Sequence, residues 1–371
     1  MKNAKKSTPK SKKNSTPKNE SSKIHKLSNH CIFGTDANDR MARTSKMNMI
    51  MHGDGHGGIH HHNGLLNVNG IFEKRFDFIL TNPPFGAQVE KVNVVQAADA
   101  QTRYNDNGQI IAQAGNEKYI QNYYETYGKE TYQAAQRQIL DNIGQPIASL
   151  FALKPNLQSD KTEHLFINRC LDLLKPGGRL GIVLPECVFN TPNAEYVRTF
   201  VENKAFLRAV ISLPSETFKS ADASVKCSVL FLQKFTQKQQ TQWDGLLQSH
   251  KESLEKAHKN EFDTLNEIIN YRRKSGEKAA KFSADDKKRA KRQLKELNER
   301  IAREARTAAK ADFNYPIFMA EPTSVGINAK GETQGVANDL QDRFELQNGE
   351  RVLVEKGVAT LFREFLRKNL T

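Results

Sequence analysis

The sequence predicts an α/β fold: a doubly wound, mainly parallel sheet with a long helical insertion and a C-terminal β extension. Three observations carry this expectation. Between residues 31 and 236, apolar strand-like runs alternate with amphipathic helical stretches. Residues 239–311 hold dense charge of both signs and no proline. From Asn314 the pattern turns β-like again.

Each element has a local reason. Residues 31–36 form a run that reads as a strand ending in Asp36. A helix over 37–51 offers Met41, Ala42, Met47, Met49 and Ile50 as its apolar positions. Residues 61–66 read as a short strand, and 75–81, through Phe76-Asp77-Phe78-Ile79-Leu80, as a buried one. The stretch 87–160 is long, polar and rich in Tyr, Gln and Asn, with helical pieces around 117–142. Over 161–174, Leu165, Phe166, Cys170, Leu173 and Leu174 follow helical spacing, and Lys175-Pro176-Gly177-Gly178 stops the helix. A strand at 179–185, a helix at 193–204 and strands at 207–213 and 225–233 follow. No helix separates the last two strands, as in an antiparallel edge hairpin. Within 239–311, Leu254, Leu265, Ile268, Leu294, Leu297 and Ile301 predict a helical hairpin broken near Ser275-Gly276 or Ser283. It reads as a docking arm for a partner subunit or DNA, or equally as a solvated insertion. Tyr315-Pro316-Ile317-Phe318-Met319-Ala320 reads as a strand, and 325–331 as a hairpin turn. The expected domains are therefore a tail at 1–30, a catalytic domain at 31–236, the helical hairpin at 239–311 and an extension at 312–371.

Composition sets limits on partners and compartment. The 371 residues carry a net charge of +14, which suits a polyanionic partner. Residues 1–30 contain nine Lys and one Glu with few apolar side chains, so disorder is expected there. That tail reads either as a DNA tether or as an incidental leader. No apolar run is long enough to span a membrane, and there is no signal-peptide pattern. Cys31, Cys170, Cys187 and Cys227 are scattered without metal-ligand spacing, which predicts free, buried thiols and fits a reducing cytoplasm. His52, His56, His60, His61 and His62 are dense, but their spacing matches no zinc pattern, and no metal is expected.

The most informative residues are Asn82-Pro83-Pro84-Phe85, directly after the apolar run at 75–81. Two prolines restrict the backbone and remove two N–H donors. The Asn82 side-chain oxygen and the Pro83 carbonyl can then point two acceptors at one planar amino group. Phe85 offers a face on which a planar ring can stack. The ordinary alternative is a strand exit closed by Pro-Pro.

Together with Ile32-Phe33-Gly34-Thr35-Asp36, Lys46-Met47-Asn48-Met49-Ile50-Met51-His52-Gly53 and Leu174-Lys175-Pro176-Gly177-Gly178-Arg179-Leu180, the tetrad resembles the adenine-N6 DNA methyltransferases of type I restriction-modification systems. The likeness is to their modification subunit and covers roughly residues 31 to 236. It implies a class I, Rossmann-like methyltransferase sheet. It also implies catalytic roles for Asn82, Pro83, Pro84 and Phe85, and S-adenosyl-L-methionine as cofactor. Asp36, at a strand end before a helix, would accept from both ribose hydroxyls; the other reading is an N-cap for helix 37–51. Asn63 stands where the family has an Asp on the cofactor's adenine amine, or simply forms an Asn-Gly turn.

One element that the resemblance implies is missing. The family places a strand and an Asp-x-x-x-Gly-x-Gly turn before the Asp36 strand, and residues upstream of Ile32 hold no such pattern. The sheet is therefore expected to be incomplete at its first strand, which would lie between the Asp36 strand and the tetrad strand. The implied function is methylation of a flipped adenine in double-stranded DNA by a truncated or split form. Its implied partners are a specificity subunit, a motor-nuclease subunit and a separate N-terminal fragment. The alternatives are an inactive remnant that binds a partner or DNA, and an RNA or protein N-methyltransferase sharing the tetrad.

Overall fold

A computed structural model describes residues 31–53, 58–219, 225–272, 281–328, 330–333 and 335–369. The Lys-rich tail, His56 and the Ser275-Gly276 break lie outside the described residues. In chain order the first elements are β1 (Gly34–Asp36), α1 (Asp39–Met51), β2 (Ile59–His61), β3 (Phe76–Thr81) and β4 (Gln88–Val89). Next come β5 (Thr102–Tyr104), β6 (Ile110–Ala112), α2 (Glu117–Tyr127), α3 (Lys129–Leu140) and β7 (Asp160–Lys161). The middle of the chain holds α4 (Thr162–Leu173), β8 (Leu174–Pro185), α5 (Cys187–Asn190), α6 (Glu195–Glu202), β9 (Ala205–Ser212) and β10 (Cys227–Lys234). It ends with α7 (Gln237–Ala257), α8 (Lys259–Asn270), α9 (Ala284–Asp312), β11 (Phe318–Ala320), β12 (Arg343–Gln347), β13 (Glu350–Glu355) and α10 (Val358–Asn369).

These elements fall into two compact units, which divide the chain differently from the expected domains. Among the described residues, the first joins those up to Phe72 with Val95–Ile143, and the second joins Glu73–Val94 with those from Gly144 onward. In the first unit β1 and β2 pair in parallel, Asp36 opposite His61, with α1 packed beside them. Asn38 caps α1, its side chain accepting the Met41 N–H at 3.2 Å. The segment after β2 is tied to α3 through Asn67, whose amide donates to the Ala135 carbonyl at 2.9 Å while its own N–H reaches Gln138 at 2.8 Å. Stacked Tyr123 and Tyr132 rings, 5.2 Å apart, join α2 to α3.

The second unit holds a five-stranded mixed sheet in the order β11-β9-β10-β8-β3. β3 runs parallel to β8, β10 antiparallel to both β8 and β9, and β11 parallel to β9. Ile167, Leu171, Leu174, Leu180, Ile182, Leu184, Leu230 and Leu232 form its main core. Gly181 sits in β8 because a Cβ there would lie 2.8 Å from Leu80 Cδ2 and 3.1 Å from Phe231 Cε1. β3 is an edge strand, and no described strand pairs with its outer side. Phe78 and Leu80 on that strand are 66% and 82% exposed.

Most element boundaries agree with the sequence within a few residues, and several details differ. The strand expected at 61–66 ends at His61, and Asn63 to Leu66 is a turn. β10 lies inside the sheet, inserted between β8 and β9, and β11 adds itself beyond β9 and takes the edge from the hairpin. The helical insertion has a further break at His258, so α7, α8 and α9 stand where two helices were expected. Leu265, Leu297 and Ile301 are buried there, with Leu254, Ile268 and Leu294 packed against them. Ser283 and Asp286 start α9 as a reciprocal capping box. β12 and β13 were not anticipated, although Asn348-Gly349, both at positive φ, is a hairpin turn signal. Cys170 and Cys227 are buried, whereas Cys31 is exposed. No described helix is long and apolar enough to cross a membrane.

Candidate active site

The second unit carries the tetrad. Thr81 ends β3 opposite Ile182, so Asn82 emerges at the C-terminal end of a strand running parallel to β8. Asn82 and Pro84 are exposed, Pro83 is buried and Phe85 half-buried. The chain then turns at Gly86, whose φ of +71° favours glycine. Beyond it, β4 pairs antiparallel with β7, setting Gln88 opposite Lys161 and Val89 opposite Asp160. The Ala87 carbonyl accepts from Thr162 twice, from the N–H at 2.9 Å and from Oγ1 at 3.0 Å. The Glu163 carboxylate accepts the Gly86 N–H at 3.2 Å.

Behind this clamp is a polar cluster. Asp160 Oδ1 accepts from His164 Nδ1 at 2.9 Å and from the Lys161 N–H at 2.8 Å, and Tyr196 OH donates to Oδ2 at 2.6 Å. Burial opposes ionisation of Asp160. The hydrogen bonds from His164 and Tyr196 outweigh it and hold the carboxyl below its usual range. The Lys154 ammonium sits 4.5 Å over the Tyr196 ring.

Sequence reasoning missed one aromatic residue. Phe218, in the loop after β9, meets Phe85 edge to face at 6.1 Å. A single Phe within Ser215-Glu216-Thr217-Phe218-Lys219 carries no periodic signal that would have singled it out.

The first unit carries the two candidate cofactor residues, which β1–β2 pairing brings to the same end of a parallel strand pair. The Asp36 Oδ1 accepts the Asn38 N–H at 2.7 Å, and its Oδ2 has no hydrogen-bond partner among the described residues. The helix cap is Asn38, so Asp36 does not fill that role. Asn63 Oδ1 accepts the Leu65 N–H at 3.0 Å, which makes it a turn former. The histidines here have local tasks. His60 Nδ1 meets the Asn69 amide at 3.2 Å, His61 Nε2 the Ala37 carbonyl at 3.1 Å, and His62 Nε2 the Asp99 carbonyl at 3.0 Å. Burial, then Lys46 and His62, lower the His60 pKa to about 4. No described group of His, Cys, Asp or Glu could hold a metal ion.

Chemically, the second unit presents an exposed Asn82 amide at a proline-restricted strand end, followed by Phe85 with Phe218 against it. That arrangement can take a flat group bearing a hydrogen-bond-donating amine.

No curated protein matches the chain in sequence. Among solved structures, the chain is similar to a modification subunit of a putative type I restriction enzyme from Vibrio vulnificus, at 18% identity over 56% of this chain and 33% of that one, with a TM-score of 0.34. The type I restriction enzyme EcoKI M protein is similar at 19% identity, over 58% of this chain and 34% of that one, with a TM-score of 0.35. A putative class I S-adenosylmethionine-dependent methyltransferase from Listeria monocytogenes is similar at 16% identity, over 56% and 45%, with a TM-score of 0.32. The chain thus spans less than half the length of each of these three. The family model for N-6 DNA methylases matches residues 13–135 and 145–304, which is more than half of the chain and includes the tetrad and the Asp36 strand. This chain belongs to the N-6 DNA methylase family.

Proposed function

We propose that the chain methylates N6 of a flipped adenine in double-stranded DNA, as the modification component of a type I restriction-modification system. The observation that carries this is the tetrad. Asn82 is exposed at the end of β3, Pro83 has no N–H to compete for the incoming group, and Phe85 stands beside Phe218. An adenine amine is a weak nucleophile because its lone pair is delocalised into the ring. Asn82 Oδ1 and the Pro83 carbonyl accept its two hydrogens and favour a pyramidal nitrogen with its lone pair available. Phe85 and Phe218 give the base an apolar setting that offsets part of its unstacking, which costs roughly a few kcal/mol.

S-adenosyl-L-methionine supplies the methyl group when bound. Asp36 fits its ribose: the carboxylate stands at a strand end with Oδ2 open among the described residues. Asn63 fits less well, since its side-chain oxygen is engaged by Leu65 and only its amide remains to donate to the adenine end. The described residues contain no counterpart of the glycine-rich turn for the methionine end. The open edge of β3 supports a form that needs a strand from outside the described residues before it is active. A specificity subunit and a motor-nuclease subunit are the further partners of this reading.

The test is N6-methyladenine measured by mass spectrometry in DNA from cells expressing the full chain, alone and with these partners. Methylation with partners, absent in Asn82→Ala, is expected. Label appearing only in RNA or protein would overturn the assignment.

A further inference from the structure

We propose that Glu163 is the positioning residue of the tetrad: its buried carboxylate, by holding the Gly86 N–H, sets where the Asn82 amide and the Phe85 ring stand. This rests on reading the tetrad as the acceptor site.

The tetrad has little with which to hold itself. Its two prolines donate no hydrogen bonds, and Asn82 is exposed. Its backbone must therefore be held from its ends, beside the side-chain packing of Pro83 and of Phe85 on Phe218. One end is β3, fixed by its ladder to β8. The other begins at Gly86, where a Cβ would meet nothing within 4 Å, so packing does not shape the turn and hydrogen bonding must.

Glu163 supplies that bond. It is 1% exposed, a costly place for a carboxylate. It lies in the first turn of α4, where the helix dipole favours negative charge and offsets part of the cost. Its Oε2 turns to Gly86, the first residue after the tetrad. A carboxylate is an acceptor whichever way it turns, whereas an amide can present the wrong edge. Its neighbour Thr162 grips the Ala87 carbonyl with two hydrogen bonds. Asp160, held by His164 and Tyr196, fixes the start of the same segment. Residues 160–163 thus form one clamp on 86–89, and Glu163 is its member nearest the tetrad.

The test compares Glu163→Ala and Glu163→Gln with the wild type in two measurements. Amide hydrogen exchange on the full chain, without DNA or cofactor, reads the clamp directly. Glu163→Ala should speed exchange over 86–89 by about tenfold or more with protection in β8 and β10 unchanged, and Glu163→Gln should restore much of it. Turnover in the complete methylating complex reads the consequence. Glu163→Ala should lower kcat by at least about tenfold with a smaller rise in KM for DNA, because misplacing a reacting group costs rate more than affinity. Unchanged exchange over 86–89 in Glu163→Ala, or a kcat within twofold of wild type, overturns the proposal. A wild-type complex that leaves adenine unmethylated while 86–89 respond as expected supports the clamp and sinks the adenine assignment instead.

Discussion

Phe85 and Phe218 meet edge to face, with ring centroids 6.1 Å apart and planes 83° apart. The pair joins the tetrad loop to the loop after β9, so Phe218 supports Phe85 and, in the proposed function, borders the space for the base. Base-on-aromatic stacking contributes about 1–3 kcal/mol. Phe85→Ala should raise KM for DNA accordingly, while Phe85→Tyr should keep most activity. Phe218→Ala should give a smaller loss in the same direction, about 1 kcal/mol, as one edge-to-face partner is removed. Steady-state kinetics on the complete complex checks this. A Phe218→Ala variant as active as wild type would leave Phe218 a packing residue only.

Asn82→Ala should separate binding from chemistry. Removing one of two preorganised acceptors should cut turnover by at least about a hundredfold, the scale seen when one aligned polar group is lost from a transition-state site. DNA affinity should hardly change, because phosphate contacts dominate it. Gel-shift titration beside a methylation assay distinguishes the two effects, and retained methylation would contradict the role given to Asn82.

The parts of this architecture that were legible from the sequence are those written in local patterns. Strand 76–81 with its tetrad, helix 162–173 and the apolar stripe of the helical arm follow from runs and spacings of a few residues. Strand order was less legible, because it depends on distant segments: β10 inserts between β8 and β9, and β11, which returns to the sheet after the whole helical arm, takes the edge beyond β9. The site shows the same division. Asn82 to Phe85 announce themselves as a contiguous motif. Glu163 looks like an ordinary charged residue of an amphipathic helix, yet α4 is buried on nearly every side, including Thr162, Glu163, His164, Asn168 and Arg169. Nothing in its own spacing reveals that its carboxylate reaches back to residue 86.

Acidification should weaken the first unit through His60. Its Nδ1 lies 3.2 Å from the Asn69 amide, which can donate only to an unprotonated ring. Burial, Lys46 and His62 lower the folded-state pKa from 6.5 to about 4. The unfolded chain therefore takes up a proton at a higher pH than the folded one. The stability His60 contributes is present above about pH 6.5 and is lost as pH falls toward 4. Denaturant titrations followed by tyrosine fluorescence at pH 7.5, 5.5 and 4.5 should show this loss. His60→Gln should flatten it, since Gln does not titrate. An equal pH dependence in both proteins would show that other groups set it.

The open edge of β3 leads to the last prediction. Edge strands present unpaired N–H and C=O groups, and stable proteins blunt them with charge, proline or a cover. β3 does the opposite: Phe78 and Leu80 are largely exposed, and Leu80 also lies against Gly181 of β8. Arg179 lies 5.8 Å from the Phe78 ring, and Arg75 5.1 Å from the ring of Phe76 on the same strand. A second apolar strand pairing with β3 would satisfy its backbone and cover both side chains. The isolated chain should consequently bind a hydrophobic dye or self-associate, and co-expression with a polypeptide supplying the upstream strand should relieve both. Leu80→Lys should reduce dye binding in the isolated chain, because the stem can still lie over Gly181 while the ammonium reaches water. In the covered assembly the same change should be harmful, since it would bury a charge beside the new strand. That reversal of sign between the two states is the critical outcome. A monodisperse, cooperatively melting monomer that binds no dye, with or without Leu80→Lys, would show that β3 needs no cover.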